Sequence, residues 1–240
     1  MEESSKTNIL SIPIAIVIAG VLIAGAVYMG TSNKAGIAEN RQPQVAEQQQ
    51  SGNLDQMAPI TSEDHIRGNP NAQVIIVEYS DYECPFCKGF HLTMQRIVDE
   101  YGDKVAWVYR HFPLDSIHSK ARSEALAAEC AAELGGNDAF WKFTDRFFEL
   151  TPSNNQTDTA TVLPQIAREI GLNEPQFASC LTSGRYDDHI QANLDNGIAT
   201  GGNGTPWSIV VTKSGKKYPL SGAQPYASVK QFIDLALQEK

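Results

Sequence analysis

The sequence predicts an α/β fold in which a βαβ unit, an all-helical insertion and a ββα unit follow one another. Apolar runs typical of buried strands occur in the first and last thirds of the folded region. Between them, a long stretch has helical periodicity and no strand pattern. Amphipathic helix patterns follow the first and the last of the strand-like runs.

The βαβ unit begins at residues 73–80, QVIIVEYS, where four consecutive apolar residues indicate a strand buried on both faces. Apolar residues from Phe90 to Tyr101 then recur at helical spacing. They stop before Gly102, which predicts the end of the helix there. Residues 105–110, VAWVYR, are the second predicted strand.

The helical insertion is predicted over residues 116–200. Gly135 and Gly136 end its first helix, and Pro164 is expected to break or start its third. The predicted helices are 119–135, 138–150, 159–172, 174–181 and 185–200. Trp107 and Trp141 are expected in the core, because aromatic side chains dominate buried area.

The closing ββα unit has strands at residues 207–212, WSIVVT, and 217–220, KYPL. The turn KSGK joins them. Residues 228–240 have an amphipathic pattern and are predicted to form the last helix.

The amino-terminal part has two predicted segments. Residues 9–29 carry no charge and are long enough to cross a bilayer as a helix, which predicts a transmembrane anchor behind a tail of residues 1–8. A cleaved signal peptide is the alternative, although Tyr28-Met29-Gly30 is a poor cleavage site. Residues 30–62 are polar and without periodicity, so we expect a flexible linker before a domain at 63–240.

Charge and cysteine usage limit the possible partners and compartment. A net charge of −9 and no basic cluster exclude a nucleic-acid backbone as partner. Lys6 before the anchor, against Lys34 and Arg41 after it, weakly favours a cytoplasmic domain. Four cysteines, all in the domain, favour an oxidising compartment instead. We therefore expect a single-pass membrane protein with its domain on the extracytoplasmic side, periplasmic or extracellular.

Residues 78–90, EYSDYECPFCKGF, place a Cys-x-x-Cys pair where a strand meets a helix. A helix amino terminus presents unpaired N–H groups that stabilise a thiolate on Cys84, and Pro85 suits the first helical position. A mixed disulfide through Cys84 can then be resolved by Cys87, one turn along. The alternative, half of a zinc site, lacks a second pair of ligands at matching spacing.

The other two cysteines, Cys130 and Cys180, share helical faces with apolar residues and are expected to point inward. Buried free thiols are common, but in an oxidising compartment two inward cysteines favour a structural disulfide. Closing such a loop would stabilise the fold by about 4 kcal/mol in the chain-entropy model.

Several segments in order, among them EYSDYECPFCKGF, YRHFPL, FASCL and GTPW, resemble the DsbA-like thiol–disulfide oxidoreductases of the thioredoxin superfamily. The resemblance covers roughly residues 60–240. It implies a thioredoxin fold with a helical insertion, and a redox-active Cys84–Cys87 disulfide with no bound cofactor or metal. It also implies that Pro206 is a cis-proline facing the sulfurs, and that Thr205 offers backbone groups to an extended substrate peptide.

Two departures from the pattern bear on the direction of catalysis. Phe86 stands where the strongest oxidants of the family have His, and Glu83 would oppose a thiolate on Cys84 if it lies close. We therefore expect an oxidant of moderate strength acting on cysteine-containing proteins. A quinone-linked membrane partner would reoxidise it, by resemblance. The alternatives are a reductase or isomerase kept reduced by a membrane partner, and a non-catalytic binding or chaperone domain.

Overall fold

The computed structural model describes residues 53–239, which form a five-stranded sheet with helices on both faces. Strand order is β1-β3-β2-β4-β5, with β2 and β3 parallel and the other neighbours antiparallel. The strands are β1 (His65–Arg67), β2 (Val74–Ser80), β3 (Val105–His111), β4 (Trp207–Thr212) and β5 (Lys217–Ser221).

Six helices are present in this part of the chain, and short 3-10 turns lie at Leu54–Gln56 and Gly102–Lys104. The helices are α1 (Pro85–Tyr101), α2 (Ala121–Leu150), α3 (Thr159–Glu169), α4 (Glu174–Leu181), α5 (Asp187–Ala199) and α6 (Tyr226–Ala236). The predicted order of βαβ, helical insertion and ββα is present, with α2 to α5 forming the insertion.

Successive side chains of the central strands point to opposite faces of the sheet, and a hydrophobic core lies on each face. Val74 and Ile76 of β2 face the larger core with α1, α2 and α6, whereas Val77 and Tyr79 face a smaller core against α5. Trp107 and Trp141 both lie in the larger core. Since both faces of β2 are covered, its sequence is an almost uninterrupted apolar run.

The observed elements differ from the predicted ones in three places. Strand β1 was not predicted, because three residues are too few to display a period. The predicted division at Gly135 and Gly136 is, by contrast, present, because Gly136 has a φ of 73°, in the left-handed region, and separates α2 into two helical parts that meet at a kink. Pro164 neither breaks nor starts its helix but lies inside α3. The last helix is shifted, to Tyr226–Ala236.

The predicted linker, 30–62, overlaps the packed structure at its carboxyl end. Met57 is buried, and the Asn196 side chain donates to Gln56 O and accepts from the Ala58 amide. Arg110 donates to the carbonyls of Ala58 and Pro59 at 3.2 and 3.0 Å. Because these contacts are to the backbone, a search for apolar periodicity in this segment does not find them.

The predicted anchor at 9–29, the tail at 1–8 and linker residues 30–52 lie outside the described residues. Within 53–239, none of the helices combines the length and the apolar character that a membrane crossing needs.

One carboxylate joins the amino-terminal strand to the insertion. The Oε1 atom of Glu129 in α2 lies 2.9 Å from His65 Nε2, 2.8 Å from His111 Nε2 and 3.5 Å from His189 Nε2. Burial and the three imidazoles act in opposite directions on the pKa of Glu129, and the imidazoles prevail, so this pKa lies well below its usual range. His111, for which the sequence indicates no role, is therefore a buried partner of Glu129.

Candidate active site

Cys84 is the last extended residue before α1, with φ −78° and ψ 120°, and Pro85 is the first helical residue. Proline fixes this boundary, since it tolerates the first helical position and needs no amide donor. Cys87 lies one turn inside the helix and is fully buried, whereas Cys84 keeps 3% of its surface exposed. Both are free thiols in the structure.

The loop before β4 forms the other wall of the site. The Cys84 sulfur lies 3.5 Å from the Thr205 carbonyl oxygen, to which it donates when it is protonated, and the Thr205–Pro206 peptide bond is cis. The structure thus brings Cys84, Cys87, Thr205 and Pro206 together, as the sequence interpretation requires. Phe86 projects beside them and is 66% exposed.

The two cysteines differ in acidity. The Cys87 thiol donates to the Cys84 sulfur, and this bond, together with Thr205 and the amides of Phe86 and Cys87, lowers the pKa of Cys84 to about 6 against the effect of burial. Burial is the main reason that the pKa of Cys87 is raised well above its ordinary value. Near neutral pH, Cys84 is therefore a thiolate and Cys87 a thiol.

A buried carboxyl group that was not predicted lies below the pair. Glu78 of β2 is fully buried, and burial raises its pKa to about 8 even though Ser80 and Trp107 lower it. Its charge also contributes to the raised pKa of Cys87. The sequence signal was a single carboxylate at the end of an apolar strand, six residues before Cys84.

Glu83 does not act as the sequence interpretation expected. Its Oε2 accepts the Asn155 amide at 2.6 Å, and its side chain lies beside that of Glu124. Burial and this neighbouring carboxylate raise the pKa of Glu124 to about 10, so Glu124 holds its proton at neutral pH. The main contributions to the pKa of Cys84 come from groups other than Glu83.

The remaining cysteine pair lies apart from this site. A disulfide joins Cys130 of α2 to Cys180 of α4 across 50 residues, and both residues are buried. It links two helices of the insertion. Within 53–239, no group of three or more His, Cys, Asp or Glu side chains is arranged to hold a metal ion.

The chain is similar in sequence to a known protein family and in structure to solved oxidoreductases. Residues 61–234 match the family model described as Thioredoxin. The structure is similar to DsbA2 of Pseudomonas aeruginosa, with 29% identity and a TM-score of 0.62 over 74% of this chain and 95% of that one. It is also similar to a thioredoxin-like oxidoreductase of Silicibacter pomeroyi, with 26% identity and a TM-score of 0.64 over 78% and 99% of the chains.

Among curated proteins, the Na(+)/H(+) antiporter NhaA 3 of Salinispora tropica is 33% identical over 164 residues, 66% of this chain and 23% of the antiporter. The chain spans less than a quarter of the length of the first curated relatives that it matches.

The Glu78→Gln variant tests the burial of this carboxyl group. Because the folded-state pKa of Glu78 is about 8, against 4.5 in the unfolded chain, the folded state holds the extra proton between these pH values. The stability of wild type therefore falls as pH rises through this window. The variant does not lose this stability, because Gln does not ionise. We expect the stability of the variant relative to wild type to increase by about 3.5 kcal/mol between pH 5 and pH 8.

Urea unfolding of the reduced full chain at both pH values measures this difference. The exposed Glu63→Gln variant is the control, and we expect it to keep the pH dependence of the wild type. An unchanged pH dependence in Glu78→Gln would contradict the assignment.

Proposed function

The chain belongs to the thioredoxin family, and from this premise we propose that it is a thiol–disulfide oxidoreductase acting on cysteine-containing proteins through Cys84 and Cys87. One observation carries the proposal. Cys84 lies at the amino terminus of α1 against the Thr205–Pro206 loop, with Cys87 buried one turn behind it. This arrangement leaves Cys84 as the sulfur nearer the surface for a partner to attack and keeps Cys87 for resolution.

In the first step, a substrate thiolate attacks Cys84 Sγ of the oxidised enzyme. A substrate–Cys84 disulfide forms, the Cys84–Cys87 bond breaks, and Cys87 leaves with the electron pair as a thiolate. Because the pKa of Cys87 is raised, this thiolate takes up a proton. Glu78 is protonated at neutral pH and interacts electrostatically with Cys87, so it is the proposed source of this proton.

In the second step, another substrate thiolate attacks the substrate sulfur of the mixed disulfide. The substrate leaves with a new disulfide, and Cys84 leaves as a thiolate. A thiol with a pKa of about 6 is a good leaving group, so this step favours release of oxidised substrate. Two electrons pass from the substrate to the enzyme, and no organic cofactor takes part.

Two neighbouring groups would bind the substrate chain. The Thr205 backbone is on the wall that faces Cys84 and would pair with an extended peptide next to Pro206. The exposed Phe86 ring offers apolar contact but no charge or hydrogen bond. Substrates would therefore be unfolded or partly folded chains rather than one sequence.

The acidity of Cys84 supports oxidation as the direction. Its pKa of about 6 lies between about 7 for thioredoxin and about 3.5 for the strong oxidant DsbA. A more acidic leading cysteine stabilises the reduced enzyme and makes its disulfide more oxidising. We assign moderate oxidising strength, in keeping with Phe86 in place of a charged residue between the cysteines.

The cellular setting is also part of the proposal. Residues 9–29 would anchor the protein in a membrane, with the domain on the extracytoplasmic side. The Cys130–Cys180 disulfide supports an oxidising compartment. A quinone-linked membrane protein would restore the Cys84–Cys87 disulfide after each cycle.

The reduction potential distinguishes an oxidase from a reductase. Equilibration of the purified full chain with glutathione buffers should give a value between about −270 mV, that of thioredoxin, and about −120 mV, that of DsbA. A value at or below that of thioredoxin would instead support a reductase kept reduced by a membrane partner.

Two cysteine variants distinguish an enzyme from a non-catalytic chaperone. Cys84→Ser should lose oxidation of reduced, denatured ribonuclease, because the attacked sulfur is gone. Cys87→Ser, mixed with scrambled, disulfide-bonded ribonuclease, should accumulate a mixed disulfide visible on non-reducing gels. The Cys84 thiolate attacks a ribonuclease disulfide and releases one ribonuclease thiolate, and the resolving thiol is gone. Full activity in Cys84→Ser would favour the chaperone.

A further inference from the structure

The carboxylate of Asp81 lies under the turn that leads into Cys84, and its side chain has no exposed surface. Its Oδ1 accepts the Glu83 amide at 2.7 Å, which closes a local turn between Asp81 and Glu83. Its Oδ2 accepts the Leu114 amide at 2.7 Å and the Nδ1–H of His118 at 2.9 Å. All three donors are needed, since a buried carboxylate without partners is costly.

The backbone of Asp81 contacts both cysteines. Its amide donates to Cys87 Sγ at 3.5 Å, and its carbonyl accepts the Cys84 amide at 3.2 Å. The Ser80 carbonyl, in the same peptide unit as the Asp81 amide, accepts from Phe112 at 2.8 Å. This peptide unit is therefore fixed on one side by Phe112, the residue after β3, and directed at the resolving sulfur on the other.

His118 connects this turn to the helical insertion. It is buried, and its carbonyl accepts the amide of Ala121, the first residue of α2. The Asp81–His118 bond thus joins the active-site turn to the start of the insertion. Neither residue contacts the exposed surface where a substrate would bind, so both would act through the cysteines.

We propose that Asp81, held by His118, is a positioning residue for thiol–disulfide exchange, fixing the turn of residues 81–84 so that Cys87 stays in hydrogen-bonding reach of Cys84. The inference rests on the proposed function, because it assigns Asp81 a part in the same reaction. The Asp81 amide is the group that touches a reacting sulfur, and the carboxylate keeps that amide in place.

An electrostatic role and a positioning role for Asp81 predict opposite changes in the pKa of Cys84. Removing a negative charge near a thiolate lowers the thiol pKa. Loosening the turn withdraws the Cys87 thiol, the strongest stabiliser of the Cys84 thiolate, and raises the thiol pKa. An amide at position 81 cannot accept all three donors, because its NH2 group would face one of them. Asp81→Asn therefore separates the two effects.

The experiment titrates the Cys84 thiolate by its ultraviolet absorbance in the reduced full chain. Wild type is compared with Asp81→Asn, His118→Ala and the control Glu129→Gln. The control removes another buried carboxylate bound to histidine, but one without a contact to either cysteine. Thermal unfolding of each variant measures the structural cost separately.

We expect the apparent pKa of Cys84 to rise by about one unit in Asp81→Asn and by less in His118→Ala. The thiolate fraction at pH 6 would then fall about fivefold in Asp81→Asn. Glu129→Gln should be less stable than wild type but keep the pKa of Cys84. If Asp81→Asn fails to fold, the pKa of Cys84 in His118→Ala tests the inference. In that variant the Asp81 carboxylate still accepts the amides of Glu83 and Leu114.

Two results would overturn the inference. An unchanged pKa in both variants would make Asp81 merely structural, and a lowered pKa in Asp81→Asn would make it an electrostatic group. Failure of the proposed function is distinct, because wild type itself would then titrate as an ordinary thiol and leave ribonuclease reduced.

Discussion

The hydrogen bond from the Cys87 thiol to the Cys84 sulfur is the interaction on which the rest of the site depends. It forms because α1 begins at Pro85, which leaves Cys84 extended and free of the helix while Cys87 lies one turn inside. A boundary one residue earlier would turn Cys84 into a helical residue and remove its sulfur from the free amides at the helix end. The chemistry thus follows from where one helix starts.

Two buried carboxyl groups flank this bond and are accommodated in different ways. Asp81 receives three donors and contributes geometry, whereas neither carboxyl oxygen of Glu78 has a well-formed hydrogen bond, so the group keeps its proton up to about pH 8. An unpartnered carboxyl group in a core reduces stability. Glu78 lies below Cys87, which must gain and lose a proton during the reaction, so a function in proton transfer explains why this destabilising group is present.

The order of strands and helices and the cysteine pair could be predicted from sequence, since periodicity and the Cys-Pro-x-Cys pattern are local signals. Strand β1, the packing of residues 53–62 and the partners of Glu83 could not. Each depends on contacts between segments far apart in the chain, such as Arg110 with Pro59 or Glu83 with Asn155. Glu78 was predictable only in part. The sequence shows that it belongs to an apolar strand, but not that this strand places it below the cysteines.

Cys84 is an acidified sulfur held by the thiol one turn along. Titration of thiolate absorbance in the reduced wild-type chain, with Cys84→Ser as the blank, measures this acidity. We expect a single transition near pH 6 that is absent from the blank. A transition near the ordinary thiol value of about 8.5 would contradict it.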